Sequence, residues 1–199
     1  PLVGAHLDYR VAGNWIRVGT ARLKLKAEFS PSIDALLAGL RSPAVAAVSP
    51  QAPALVDELA ATDKHVDYVS LGMGAEWGPF RPSLSLSRIR SASLSIPNAH
   101  AGYLTVGYRW RQWTPFLGYS AVKTQVTPRS TGLPDLPPFA PLNGGTQALL
   151  SLNRADQRTA SLGLRWDFHR NVCLKAQIDA IQVDHASQQL WLRPSPTWN

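Results

Sequence analysis

The feature that most constrains this chain is an alternation of apolar and polar residues, sustained through segments of about ten residues. In residues 101–110, Leu104, Val106, Tyr108 and Trp110 oppose Tyr103, Thr105, Gly107 and Arg109. Towards Phe168, Ala160, Leu162, Leu164 and Trp166 oppose Ser161, Gly163, Arg165 and Asp167. Leu174, Ala176, Ile178 and Ala180 then oppose Lys175, Gln177 and Asp179. Val69, Leu71, Met73, Ala75 and Trp77 oppose Ser70, Gly72, Gly74 and Glu76. Period two is the repeat of an extended strand, with successive side chains on opposite faces. Strand character covers residues 2–11, 15–29, 66–77, 80–91, 101–110, 113–125, 158–168 and 172–184. Strands of soluble proteins average about five or six residues, whereas a tilted strand crossing a bilayer needs about nine to eleven.

The connections alternate in length. Residues 12–14, 78–79, 111–112 and 169–171 are short, 92–100 is intermediate, and 30–65 and 126–157 are long. In an antiparallel meander this puts every long connection at one end, the asymmetry of an outer-membrane barrel with short periplasmic turns and longer extracellular loops. Within the long loop 30–65, Ser32 is placed to cap a helix over residues 33–40, and Pro53 to start one over residues 54–61. The Pro-rich loop 126–157 reads as lacking regular structure, with Asn143-Gly144-Gly145 as a turn. In residues 15–29, Ile16 and Val18 are out of phase with Leu23, Leu25, Ala27 and Phe29. A bulge near residues 19–21 would reconcile them.

Composition narrows the class. The 199 residues are 45% hydrophobic, yet mean hydropathy is -0.11, and no run of about 18 apolar residues offers a membrane-spanning helix. Alternating strands average to neutral hydropathy, so a transmembrane barrel is compatible. The net charge of +7 is spread singly and forms no basic block of the kind that grips nucleic acid. Cys173 is alone, so no intrachain disulfide forms, and at a strand start it reads as inert packing. The sequence opens at Pro1 without a leader, and residues 183–199 resemble a loop before one more strand. The expectation is a C-terminal portion of a longer barrel.

Catalytic signatures are missing. The five histidines, at positions 6, 65, 100, 169 and 185, have no metal-ligand spacing, and no phosphate loop, dinucleotide loop or nucleophile elbow occurs. The expectation is a protein that is not an enzyme and needs no cofactor or metal.

Aromatic and charged residues point elsewhere. Trp15, Trp77, Trp110, Trp113 and Trp166 crowd beside the short turns. An indole prefers the membrane–water interface, where its ring is in apolar surroundings and its N–H is wet, so these five are expected to form an aromatic girdle. On the polar faces, Arg10, Arg22, Lys24, Lys26, Tyr103, Arg109, Arg165, Asp167, Lys175 and Gln177 are expected to line a lumen. Charges in a dry interior would be costly, so such a lumen is wet and forms a channel. Excess cations would lower the barrier for anions. The competing interpretation of these faces is the solvated side of a soluble sheet.

The segment LGLRWDFHRNVCLKAQIDAIQVD at 162–184 resembles the penultimate hairpin of Gram-negative porin-like proteins, where an aromatic–Asp–aromatic piece, an Asn-containing turn and a Leu-Lys-x-Gln strand recur. LGMGAEWGPF at 71–80 is similar to another hairpin of that family. The resemblance implies a signal peptide, insertion in the bacterial outer membrane, a barrel of about sixteen strands and often a homotrimer. Two departures stand out: there are eight strands here, and Pro196-Thr197-Trp198-Asn199 takes the place of a closing strand that ends on an aromatic residue.

The sequence therefore predicts an all-β, antiparallel up-and-down transmembrane β-barrel of about eight strands within residues 1–199, part of a larger barrel, with short helices in one long loop. The expected function is an outer-membrane porin for passive diffusion of small hydrophilic solutes, with a preference for anions. Its partners would be outer-membrane lipid and those solutes or ions, and not nucleic acid. The alternatives are a small outer-membrane barrel with a structural or adhesive role, and a soluble lipocalin-like carrier.

Overall fold

The computed structural model describes residues 1–25, 29–60, 62–125, 128–151 and 156–183. Eight strands run in chain order: β1 (Leu2–Val11), β2 (Asn14–Lys24), β3 (His65–Gly74), β4 (Phe80–Ser91), β5 (Asn98–Tyr108), β6 (Trp113–Gln125), β7 (Gln157–His169) and β8 (Val172–Val183). Each pairs antiparallel with its sequence neighbours, giving one sheet of order β1 to β8. The sheet is not closed: β1 and β8 are its edges and do not pair with each other.

The turns at one end are tight for identifiable reasons. Ala12 and Gly13 both have positive φ, 47° and 81°, so the β1–β2 hairpin closes through two residues with a twist matching the strands. Trp77 bridges Phe80 across Gly78-Pro79, and Trp110 bridges Trp113 across Arg111-Gln112. At the other end lie all the longer connections, as the meander requires.

The register between β1 and β2 runs unbroken from Leu2–Leu23 to Val11–Asn14, and β2 pairs with β3 without a slip. The expected bulge at residues 19–21 is therefore absent. The backbone ladder continues while hydrophobicity changes face, because β2 leaves the apolar band towards its loop end. The described irregularity lies instead in β7, between Trp166 and His169. Asp184 and residues 26–28 of the expected strands lie outside the described residues.

The long connections are more ordered than the sequence suggests. They contain α1 (Pro31–Leu40), α2 (Pro43–Val48), α3 (Gln51–Leu59) and α4 (Ala140–Ser151). Ser30, not Ser32, is the N-cap of α1, with Pro31 in the first turn. Pro53 lies inside α3 and does not begin it. The unforeseen α2 starts at Ser42, whose hydroxyl accepts from the Val45 N–H. α4 corrects the view of 126–157 as a loop without regular structure. Gly144 and Gly145 are within this helix, at a propensity cost of about 1 kcal/mol each relative to alanine.

Packing offsets that cost. Leu37, Leu40, Val45, Leu55, Val56, Leu59, Leu133 and Leu149 form one buried cluster that joins both long connections. A Cβ on Gly145 would sit 2.9 Å from Leu36 Cδ1, and one on Gly39 would sit 2.9 Å from Leu142 Cδ2. The glycines thus permit the close approach of α1 and α4. Polar ties reinforce the cap: the Ser49 hydroxyl donates to the Thr131 carbonyl at 2.6 Å, and Arg129 donates to Glu58 at 2.7 Å. Ser93 and Ser95 both donate to the Leu59 carbonyl, bringing in the β4–β5 connection. The helices pack on one another, and no strand is among their main contacts.

Leu59 is fully buried in this cap. Leu59→Ala is expected to cost about 2–5 kcal/mol of cap stability. Hydrogen exchange should then speed up across α1–α4 and leave the β3–β7 amides protected; equal loosening of the strands would contradict a cap with its own core.

Candidate functional site

Cross-strand register sorts the side chains into two faces. Leu7–Val18–Leu71–Leu86, Met73–Leu84–Leu104–Tyr119 and Val106–Leu117–Leu162–Ile178 form apolar rows. These side chains are open: Leu7 is 73% exposed, Leu162 58% and Ile178 77%. The opposite face carries glycine, serine, threonine and charged residues, and it is the more enclosed one. Ser161 there is only 8% exposed, and Gly107 and Gly163 are buried. In a soluble protein the enclosed face would be the apolar one.

The short-turn end of the apolar face is aromatic. Trp113 and Trp166 stack with ring centroids 4.9 Å apart, and Phe168 lies 5.1 Å from Trp166. Phe80 meets Tyr108 edge-on at 5.2 Å. Trp77 and Trp110 continue the same alternation through their bridges to Phe80 and Trp113. Four of the five expected girdle residues thus share one face at one height. Trp15 does not. It pairs with Gly74 in register, on the polar face, and a Cβ at Gly72 or Gly74 would press into its indole. The two glycines provide its seat, a pairing that adjacency to a turn does not reveal.

The polar face is cross-linked. Arg17 donates to both carboxylate oxygens of Asp8, at 2.5 and 2.9 Å, across β1 and β2. Arg165 donates to Asp167 at 2.7 Å, and Arg81 reaches Glu76 at 3.2 Å. Ser161 and Gln177 donate to Asp179 at 2.6 and 2.7 Å. Lys175 sits over the Phe116 ring at 4.6 Å, and that ring lies against Gly163. Glu76, Arg81, Arg109, Arg165, Asp167 and Arg170 border one open concavity of about 830 Å³ near the short turns.

Of the residues expected to line a lumen, Arg10, Tyr103, Arg109, Arg165, Asp167, Lys175 and Gln177 fall on this polar face. Arg22 and Lys24 do not. With no bulge in β2 they share the face of Ile16 and Val18, and they pair there with Asp67 and Asp63 at 2.6 and 2.7 Å. Lys26 lies outside the described residues. Arg17 and Arg81 were missed. Arg17 alternates with Ile16 and Val18, and Arg81 with Phe80 and Pro82, which is the signal that places them. Register and alternation put six cations of the described strands on the polar face (Arg10, Arg17, Arg81, Arg109, Arg165, Lys175), and Arg170 borders its concavity from a turn, against four carboxylates (Asp8, Glu76, Asp167, Asp179), an excess of three. Cys173 is exposed on β8 rather than packed. Among the described residues no group of three or more His, Cys, Asp or Glu is placed to hold a metal.

No protein-family model matches this chain, and no curated protein matches it.

A Cβ at Gly163 would collide with the Phe116 ring, whereas one at Gly144 meets nothing within 4 Å. Gly163→Val is therefore expected to destabilise by about 1–3 kcal/mol through overpacking. Gly144→Ala should leave stability unchanged or raise it by up to about 1 kcal/mol. Thermal melting followed by circular dichroism in detergent measures both; a neutral Gly163→Val would refute the seat.

Proposed function

We propose that these strands are an arc of the wall of an outer-membrane β-barrel whose polar face lines an aqueous passage for small hydrophilic solutes. The observation that carries this reading is the inverted sheet: large aliphatic side chains stand exposed across β1 to β8, while glycine, serine and charged residues occupy the enclosed side. Water does not tolerate an apolar face of this extent, and lipid does. The aromatic row at the short-turn end fits a membrane interface. A soluble carrier of apolar ligands would have the opposite distribution.

The open edges favour an arc of a larger wall. In hydrocarbon every unpaired N–H and C=O costs several kcal/mol, so an edge strand facing lipid is not viable. β1 and β8 would be covered by further strands, as in a barrel wide enough for a wet lumen. The cationic excess on the polar face supports a preference for anions, since charges along a passage with low-dielectric walls act on every passing ion.

Two measurements test this. A cysteine-attached spin label at Leu162 should sense lipid, and one at Arg165 should sense water; reversed accessibility would mean a soluble sheet with an apolar core. In planar bilayers, the full protein should conduct with an anion-preferring reversal potential in a salt gradient. Arg109→Glu with Arg165→Glu should shift that potential towards cations. Absence of conductance would sink the channel, and an unmoved potential would remove these side chains from the conducting path.

A further inference from the structure

We propose that the loop end of the apolar face is a docking surface for the phosphate groups of lipids in the surrounding leaflet, an inference that rests on the membrane reading above. The register carries it. Val69 pairs with Arg88, Arg88 with His100, and His100 with Lys123, all on the face of Leu71, Leu86 and Leu104. One step further from the apolar band, Arg22 pairs with Asp67 and Asp67 with Arg90 on the same face. Neighbouring strands are about 4.8 Å apart, so these side chains form one cluster.

The cluster is short of negative charge. With Lys24 at its edge it holds five cations, Arg22, Lys24, Arg88, Arg90 and Lys123, against two carboxylates, Asp67 and the Asp63 that pairs with Lys24 at 2.7 Å. Arg22 already engages both oxygens of Asp67, at 2.6 and 3.2 Å. Among the described residues Arg88 and Lys123 make no ion pair. Arg88 and Lys123 flank His100 from either side, Arg88 and Arg90 follow each other on one face, and charges facing hydrocarbon are tolerated only near the interface. A row of phosphates offsets the crowding of these cations and their desolvation, because guanidinium groups bind phosphate oxygens with charge-assisted, often bidentate hydrogen bonds.

The shape beside it fits a lipid better than a free ion. An open depression of about 470 Å³ adjoins the cluster, lined by Val3, Ala5, Thr20, Arg22, Lys24 and His65. Its floor is small and largely apolar, and its cations stand towards the loop end. An acyl chain can lie on the apolar band while its headgroup phosphate meets the arginines. The aromatic end of the same face has no comparable basic row.

The test uses the full protein in detergent, titrated with bisphosphorylated lipid A and followed by native mass spectrometry. Replacing Arg88, Arg90 and Lys123 by glutamine should weaken binding by a factor on the order of a hundred, each basic residue near an anionic surface contributing several-fold. Arg88→Lys with Arg90→Lys should retain most of it, as should the polar-face pair Arg10→Gln and Arg109→Gln. Unchanged binding in the triple variant would overturn the inference, as would equal loss in the polar-face pair. Displacement of the lipid by inorganic phosphate at equal concentration would also overturn it, by reducing the surface to an ion site. Failure of the wild-type protein to enter detergent or bilayer would instead defeat the membrane reading itself.

Discussion

Every placement in this structure depends on an antiparallel backbone ladder that runs through seven consecutive strand pairings with one described irregularity. Shifting a strand by one residue would move its whole apolar set to the other face. The continuity of the ladder is what lets Leu7, Val18, Leu71 and Leu86 form one row and Asp8 meet Arg17 on the reverse side. The ion pairs follow register and do not create it. Exposed pairs of this kind are worth at most about 1 kcal/mol each, whereas each strand pairing satisfies many backbone donors and acceptors at once.

The same continuity explains where polarity changes sign. Above Thr20, β2 keeps its pairing but places Arg22 and Lys24 where Ile16 and Val18 pointed lower down. In β4, Arg88 and Arg90 succeed Leu84 and Leu86 on one face, and Ile89 turns to the other. The residue types change face along the strand without any distortion of the backbone. It also ranks the two ends of the apolar face: aromatic at the short turns, basic at the long connections.

The strands were legible because their pattern is local and long. Residues 80–91 and 113–125 coincide with β4 and β6, and the alternating length of the connections carried the meander. In β2 hydrophobic phase and backbone phase are different quantities. Read from sequence, a phase change implies a bulge; the pairing shows that the backbone is unbroken and only the residue types change face. Trp15 illustrates a second limit. Its place beside a turn matches that of Trp77 and Trp110, but it alternates with Ile16 and Val18 as Arg17 does, and the glycines at 72 and 74 on β3 seat it on the polar face. α4 was illegible for a similar reason. Pro141, Gly144 and Gly145 argue against a helix locally, and its stabilising contacts are supplied by Leu36, Leu37 and Leu40 from a distant connection.

The cap has a mechanical consequence that the strands alone do not have. Each hairpin closes with its neighbour, so the sheet fixes register locally and leaves its curvature to be set by small angles between strands. The connections after β2, β4 and β6 leave the sheet at three successive points of its arc. Arg129–Glu58, Ser49–Thr131 and the two serines on the Leu59 carbonyl join all three into one unit with a shared apolar core. Fixing the separations of three points along an arc fixes its curvature at that end. On the channel reading proposed above, such a constraint would hold the polar face open, because inward collapse would bring the excess cations of that face together without counter-charge.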